Sequence, residues 1–191
     1  MAATRGPRAG VLALQGDFAA HARALGHAHE VRTARDVDEV DLLVLPGGES
    51  TTLLRLLEGS GIEAAVRRLL ARGGVVFGTC AGAILLAREV TNPTQPSWGL
   101  IDLGVERNAF GRQIDSFEAV LEPDYPAVFI RAPRIRRVGG GVDVLARWRG
   151  EPVLVREGRV LAATFHPELT SDTRVLELVR RAWVPPAVPA P

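Results

Sequence analysis

"VVFGTCAGAILLA", residues 75–87, passes from strand-forming residues to helix-forming ones within a single short turn, and that turn carries the only cysteine of the chain. A buried strand that ends in Gly-x-Cys-x-Gly and runs straight into a helix is a corner of an α/β fold. The glycines admit tight packing, and the residue between them is presented to a cleft. In "GTCAG" that residue is Cys80. Unpaired N–H groups at the start of the following helix favour negative charge there. Cys80 fits equally well as a buried structural thiol, because free cysteine is among the most buried residue types.

The same alternation continues on the N-terminal side. "AGVLALQG" (9–16) precedes a helix-like "FAAHARAL" (18–25), and "VDLLVLPGG" (40–48) precedes the helical stretch 50–73. The apolar runs 11–14, 42–45 and 75–77 lack a polar alternate, which suits strands covered on both faces of a parallel sheet. The helix after Cys80 is predicted from 81 to about 89. From 100 to 165, short segments separated by Gly and Pro predict antiparallel strands and hairpins, with "GRV" at one turn. A helix from about 171 to 183 closes the fold, and the Pro-rich residues 185–191 read as a disordered tail. The expected architecture is a three-layer α/β domain over 1–184, with a mostly parallel central sheet between helices and added antiparallel strands in the second half.

Composition narrows the function. The 191 residues suit one domain, able to bury roughly 70% of the surface its unfolded chain exposes. A net charge of +1 supplies no global field for nucleic acid or an anionic membrane. The longest apolar runs fall short of the ~20 residues that span a bilayer, and "MAATRGPR" lacks the apolar segment of a signal peptide, so a cytoplasmic protein is expected. One cysteine excludes an internal disulfide. His21, His27 and His29 show no metal-ligand spacing, so no metal site is expected.

A nucleophilic thiol needs a base, and the base needs a group to orient it. "ATFHPEL" (163–169) offers His166 and Glu168 two residues apart. In an extended backbone both side chains point the same way, roughly 6.6 Å apart along the chain. Pro167 disfavours a helical conformation at His166. Glu168 can then hold the imidazole tautomer while the other ring nitrogen faces Cys80, in the manner of a Cys-His-acid triad. A surface histidine beside an unrelated carboxylate would look the same. "LPGGEST" (45–51) is a third element, in which a Gly-Gly peptide can aim a backbone N–H at a developing oxyanion. Gly48 N–H, with the N–H of Ala81 after the nucleophile, would form that hole. The plainer alternative is a strand-to-helix loop with Ser50 or Thr51 as N-cap.

Taken together and in order, "LQG", "LPGGEST", "GTCAG", "VERNAFGRQIDSFE", "FIRAP" and "FHPELT" resemble the glutaminase subunit of pyridoxal 5'-phosphate synthase, a branch of the triad glutamine amidotransferases. The resemblance runs from about residue 10 to 179, and "VERNAFGRQIDSFE" and "FIRAP" are the stretches closest to diagnostic of the branch. It implies a class I glutamine amidotransferase-like, flavodoxin-like fold. It also implies hydrolysis of L-glutamine to L-glutamate through a γ-glutamyl thioester, with ammonia passed to a separate (β/α)₈-barrel synthase subunit that assembles into rings. Carried over by motif, Cys80 is the nucleophile, His166 the base and Glu168 its orienter. Gly47, Gly48, Glu49, Arg107, Ile130 and Arg131 line the glutamine site, and no cofactor is implied. Arg107 or Arg131 would pair with the substrate carboxylate and Glu49 with its ammonium; without the resemblance each Arg reads as solvated or ion-paired. Arg131, Arg134, Arg136 and Arg137 lack interleaved aromatics, so a solvated face is expected there rather than a nucleic-acid site. The chain departs from the family where Ala19 and Ala20, in place of charged residues, stand before His21. A stand-alone γ-glutamyl hydrolase with the same triad, or a non-catalytic regulatory module on the same scaffold, are the alternative functions.

Overall fold

The computed structural model describes residues 6–26, 28–109 and 116–185. His27, positions 110–115 within "VERNAFGRQIDSFE", the first five residues and tail positions 186–191 lie outside the described residues.

Among the described residues, a seven-stranded sheet runs in the order β10-β11-β12-β4-β3-β1-β2. The strands are β1 (Ala9–Leu12), β2 (His29–Val31), β3 (Leu42–Leu45), β4 (Val75–Thr79), β10 (Asp143–Trp148), β11 (Glu151–Glu157) and β12 (Val160–Ala163). β2, β1, β3, β4 and β12 pair in parallel, while β11 and β10 add on antiparallel beyond β12. The unbroken apolar runs correspond to β1, β3 and β4, every residue of which is buried. Alternate side chains feed opposite cores. Leu43, Leu45 and Val76 join Ile62, Val66 and Leu69 on one face; Leu42, Val44 and Phe77 join Phe129, Phe165 and Val179 on the other. Helices α2 (Ala34–Asp38), α3 (Ser50–Leu57), α4 (Ile62–Ala71) and α5 (Ala81–Leu86) cover the first face. α1 (Phe18–Ala24), α6 (Arg174–Arg181) and the hairpin of β7 (Ser116–Val120) with β8 (Pro126–Ile130) cover the second. A small sheet of β5 (Ala87–Thr91), β6 (Ile101–Glu106) and β9 (Arg134–Val138) flanks the first core.

The helix predicted from 81 to about 89 is shorter. It ends at Leu86, and the next residues form β5, pairing in parallel with β6 through Ala87–Ile101 and Val90–Val105 contacts. Ala, Arg and Glu favour helix locally, but burying Ala87 and Val90 in the first core outweighs that preference. The stretch 50–73 is two helices rather than one, separated at residues 58–61. The last helix starts at Arg174 instead of 171, where the Asp172 carboxylate accepts the Arg174 N–H. β2 and α2 had no counterpart in the sequence-based expectation, although Thr33 and Asp36 form a capping box that marks the start of α2. No helix among the described residues is long and apolar enough to cross a membrane.

Candidate active site

Parallel pairing brings the C-terminal ends of β1, β3, β4 and β12 to one edge of the sheet, where ligands bind in open α/β folds. Three of the sequence motifs leave the sheet there: "PGGES" after β3, Cys80 after β4 and "FHPE" after β12.

At the corner, Cys80 takes φ +48°, ψ −104°, a conformation costly for a residue with a Cβ and concentrated at functional sites. The packing behind it requires glycine: a Cβ on Gly82 would stand 2.0 Å from the Leu45 carbonyl oxygen, so α5 can lie against β3 only without one. The Cys80 thiol points toward the Ile130 carbonyl at 3.8 Å, and the Cys80 N–H donates to the Ala163 oxygen. The corner is thus tied both to β8 and to the end of β12.

The backbone after β12 is not extended as expected. His166, at φ −111°, ψ 86°, precedes a 3₁₀ turn over Pro167–Leu169, with Pro167 in its first turn. The curl still brings Glu168 back onto the imidazole, and His166 Nδ1 lies 2.7 Å from Glu168 Oε1. Backbone contacts brace the turn: His166 N–H donates to the Val128 oxygen and Leu169 N–H to the His166 oxygen. His166 Nε2 is buried with no hydrogen-bond partner among the described residues. Burial pulls the His166 imidazolium down, but the Cys80 sulfur and Glu168 more than offset this and carry it up to about 10. Burial pushes the Glu168 carboxyl up, while hydrogen bonds from His166 and His21 hold it at about 2.

Cys80, His166 and Glu168 line one cavity together with Gly47, Gly48, Glu49, Arg107, Ile130 and Arg131. Ala81 does not line it; it lies 1% exposed in the first turn of α5, directly after Cys80. Gly47 makes the closest approach: a Cβ there would stand 2.4 Å from His166 Cε1 and 3.3 Å from Cys80 Cβ. The Gly47 carbonyl is turned against Gly16, so the Gly48 N–H points away from the β1–α1 loop. Neither Ser50 nor Thr51 caps α3. Glu49 is the N-cap, its carboxylate accepting the N–H groups of Thr51 and Thr52 at 3.1 and 2.6 Å. Burial raises the Glu49 carboxyl, but hydrogen bonds from the Thr52 side chain and from the Thr52 and Thr51 N–H groups bring it to about 2. Arg107 Nη2 reaches Thr51 Oγ1 at 3.3 Å and stands 3.7 Å from Glu49 Oε1, so cation and anion share one end of the cavity. Glu106, beside it in sequence, pairs with Arg136 rather than with Arg107. Arg131 is exposed at φ +44° on the opposite rim. Arg134, Arg136 and Arg137 pair with Glu151, Glu106 and Asp102 along β9, as a solvated, ion-paired face.

Sequence reasoning passed over Asp17, Ser50, Ile84, Asn108 and Pro133, which also line the cavity. Two more residues stand behind it. His21 Nε2 is 3.2 Å from Glu168 Oε1 and 3.0 Å from Thr79 Oγ1. The missed signal was a buried histidine in a helix stretch, "FAAHARA", whose only other polar residue is Arg23.

The profile of the SNO glutamine amidotransferase family matches residues 11–184. A pyridoxal 5'-phosphate synthase subunit PdxT from Thermus thermophilus is 54% identical over 87% of this chain and 92% of its own length. The PdxT subunit of Frankia casuarinae is 55% identical over 91% and 93%. A crystal structure of a glutamine amidotransferase superposes with a TM-score of 0.86 at 50% identity, covering 91% of this chain and 97% of its own.

Proposed function

The chain belongs to the SNO glutamine amidotransferase family, and from that premise we propose how its cavity performs the family's reaction. The protein is a glutaminase, a hydrolase of the glutamine side-chain amide that serves pyridoxal 5'-phosphate synthesis as a subunit of the synthase. Cys80 is the nucleophile, His166 the general base and acid, and Glu168 the orienter. Transfer of the thiol proton to His166 Nε2 gives a Cys80 thiolate beside a His166 imidazolium, the pair that the raised His166 pKa favours, and the sulfur attacks the amide carbon of glutamine. The negative charge that develops on the amide oxygen is met by the N–H groups of Gly48 and Ala81. The imidazolium then protonates the departing nitrogen, releasing ammonia and leaving a γ-glutamyl thioester on Cys80. With His166 again as base, water attacks the thioester, and glutamate leaves as the sulfur is reprotonated. Glu168 stabilises the imidazolium in both halves of the reaction.

The observation that carries this reading is the 2.7 Å contact of Glu168 with His166 Nδ1, which leaves Nε2 without a hydrogen-bond partner in a residue that lines the same cavity as Cys80. Arg107 and Glu49 are taken as the anchors for the α-carboxylate and α-ammonium of glutamine. Gly47, Ile130 and Arg131 complete the wall. Residues 1–184 are taken as one glutaminase domain and 185–191 as a tail. The partner is taken as a (β/α)₈-barrel synthase subunit in a multi-subunit ring, the location as the cytoplasm. The test is glutamate release with and without the synthase subunit, comparing wild type with Cys80→Ala. The variant loses turnover while its complex still makes pyridoxal phosphate from ammonium salts. Ordinary glutamine turnover by Cys80→Ala would overturn the assignment.

A further inference from the structure

Among the described residues, His21 is a titratable side chain in contact with Glu168 that the mechanism leaves unused. It sits on α1, whose N-cap Asp17 accepts the Ala20 N–H, and it is fully buried. Its Nε2 lies 3.2 Å from Glu168 Oε1 and 3.0 Å from the hydroxyl of Thr79, the residue before Cys80. Its Nδ1 is buried with no hydrogen-bond partner.

These contacts choose a tautomer. An ionised carboxylate only accepts hydrogen bonds, so Nε2 carries the proton, which Glu168 Oε1 shares with the Thr79 hydroxyl oxygen. A second proton on Nδ1 would strand a buried donor and place a second cation beside the imidazolium that forms on His166. A proton on Nδ1 alone would turn an imidazole lone pair toward the carboxylate. The neutral Nε2–H form leaves only a lone pair unpaired. Glu168 Oε1 then accepts from two imidazoles, His166 on one side and His21 on the other, while Oε2 is buried without a partner.

We propose that His21 is a positioning residue of the triad, a neutral imidazole that donates Nε2–H to Glu168 and so holds the carboxylate in register with His166. This rests on the triad assignment above. Without the His21 donor, Oε1 keeps only the His166 hydrogen bond, and the carboxylate loses the second contact that fixes its rotation about that bond. Through Thr79 the same imidazole also ties the acid to the strand that carries the nucleophile.

The test compares His21→Leu, which fills the space without a donor, with His21→Gln, which restores a nitrogen donor at the ε position. Both are assayed as full chains with the synthase subunit present, beside Cys80→Ala. His21→Leu is expected to lower kcat by roughly 10- to 100-fold, as for loss of a hydrogen bond to a charged group, with KM for glutamine changed less than about twofold. His21→Gln recovers most of the loss. Nitrogen-15 NMR of wild-type His21 gives a neutral Nε2–H tautomer, a result that does not depend on the variants folding. An unchanged kcat in His21→Leu alongside an inactive Cys80→Ala would overturn this inference alone, as would an Nδ1–H or doubly protonated His21. Turnover by Cys80→Ala would remove the triad assignment itself.

Discussion

Gly47 and His166 are in such close contact that a Cβ on the glycine would stand 2.4 Å from the imidazole Cε1. That imidazole is pinned through Nδ1 to Glu168 and cannot yield without leaving its alignment. Gly47→Ala is therefore expected to lower kcat at least 10-fold while leaving the melting temperature within a few degrees, because the new methyl meets the His166 and Cys80 side chains of the proposed triad and not the backbone of the core. Steady-state kinetics and a thermal melt on the same preparation check both halves.

Gly82→Ala has the opposite signature. Its Cβ would stand 2.0 Å from the Leu45 carbonyl oxygen, which belongs to a fully buried central strand. Separating α5 from β3 is expected to cost about 2–3 kcal/mol, read as a lower melting temperature or a lower denaturation midpoint. Activity falls because the corner that presents Cys80 moves with the helix.

Glu168→Gln keeps the shape of the orienter and removes its charge. The imidazolium formed at His166 then loses its counter-charge, and kcat is expected to drop by 10²-fold or more with a smaller change in KM. A kcat equal to that of the wild type would reduce Glu168 to a structural carboxylate.

The same pair sets a pH dependence of stability. Glu168 is lowered from its ordinary 4.5 to about 2 in the folded protein, so its contribution is present above about 4.5 and is lost as pH falls toward 2. His166 is raised from 6.5 to about 10, so its contribution is complete below about 6.5 and is lost as pH rises toward 10. The stabilisation is fullest between about pH 4.5 and 6.5. The difference in melting temperature between wild type and Glu168→Gln is expected to peak in that window and shrink on both sides.

Arg107→Leu tests the far end of the cavity. Arg107 is the cation beside Glu49 in the cavity that holds Cys80. With Arg107 as the proposed anchor of the glutamine carboxylate, losing that charge-assisted contact is expected to raise KM by roughly 10-fold or more, with kcat changed less. A variant with unchanged KM would place the substrate carboxylate elsewhere.

Much of this site was written in short stretches. The apolar runs of β1, β3 and β4 have no polar alternate because both faces of those strands are covered, and that pattern alone identified a parallel sheet. "GTCAG" marks its corner because Gly82 must approach Leu45 without a side chain, and "HPE" keeps acid and base two residues apart, near enough to meet in either an extended chain or a 3₁₀ turn. What the tertiary structure alone decided involves partners distant in sequence. α5 stops at Leu86 because β6 offers Ala87 and Val90 a paired, buried place that helix propensity does not register. Glu49, expected only at the substrate, also caps α3, because the chain leaving β3 turns its carboxylate onto the N–H groups of Thr51 and Thr52. His21, without metal-ligand spacing and set among alanines, meets Glu168 only because α1 packs over the end of the sheet where β4 and the 3₁₀ turn converge. Local pattern marks the central strands and most of the helices. Which side chains face one another across the sheet edge depends on packing between elements, where no short stretch of sequence carries the information.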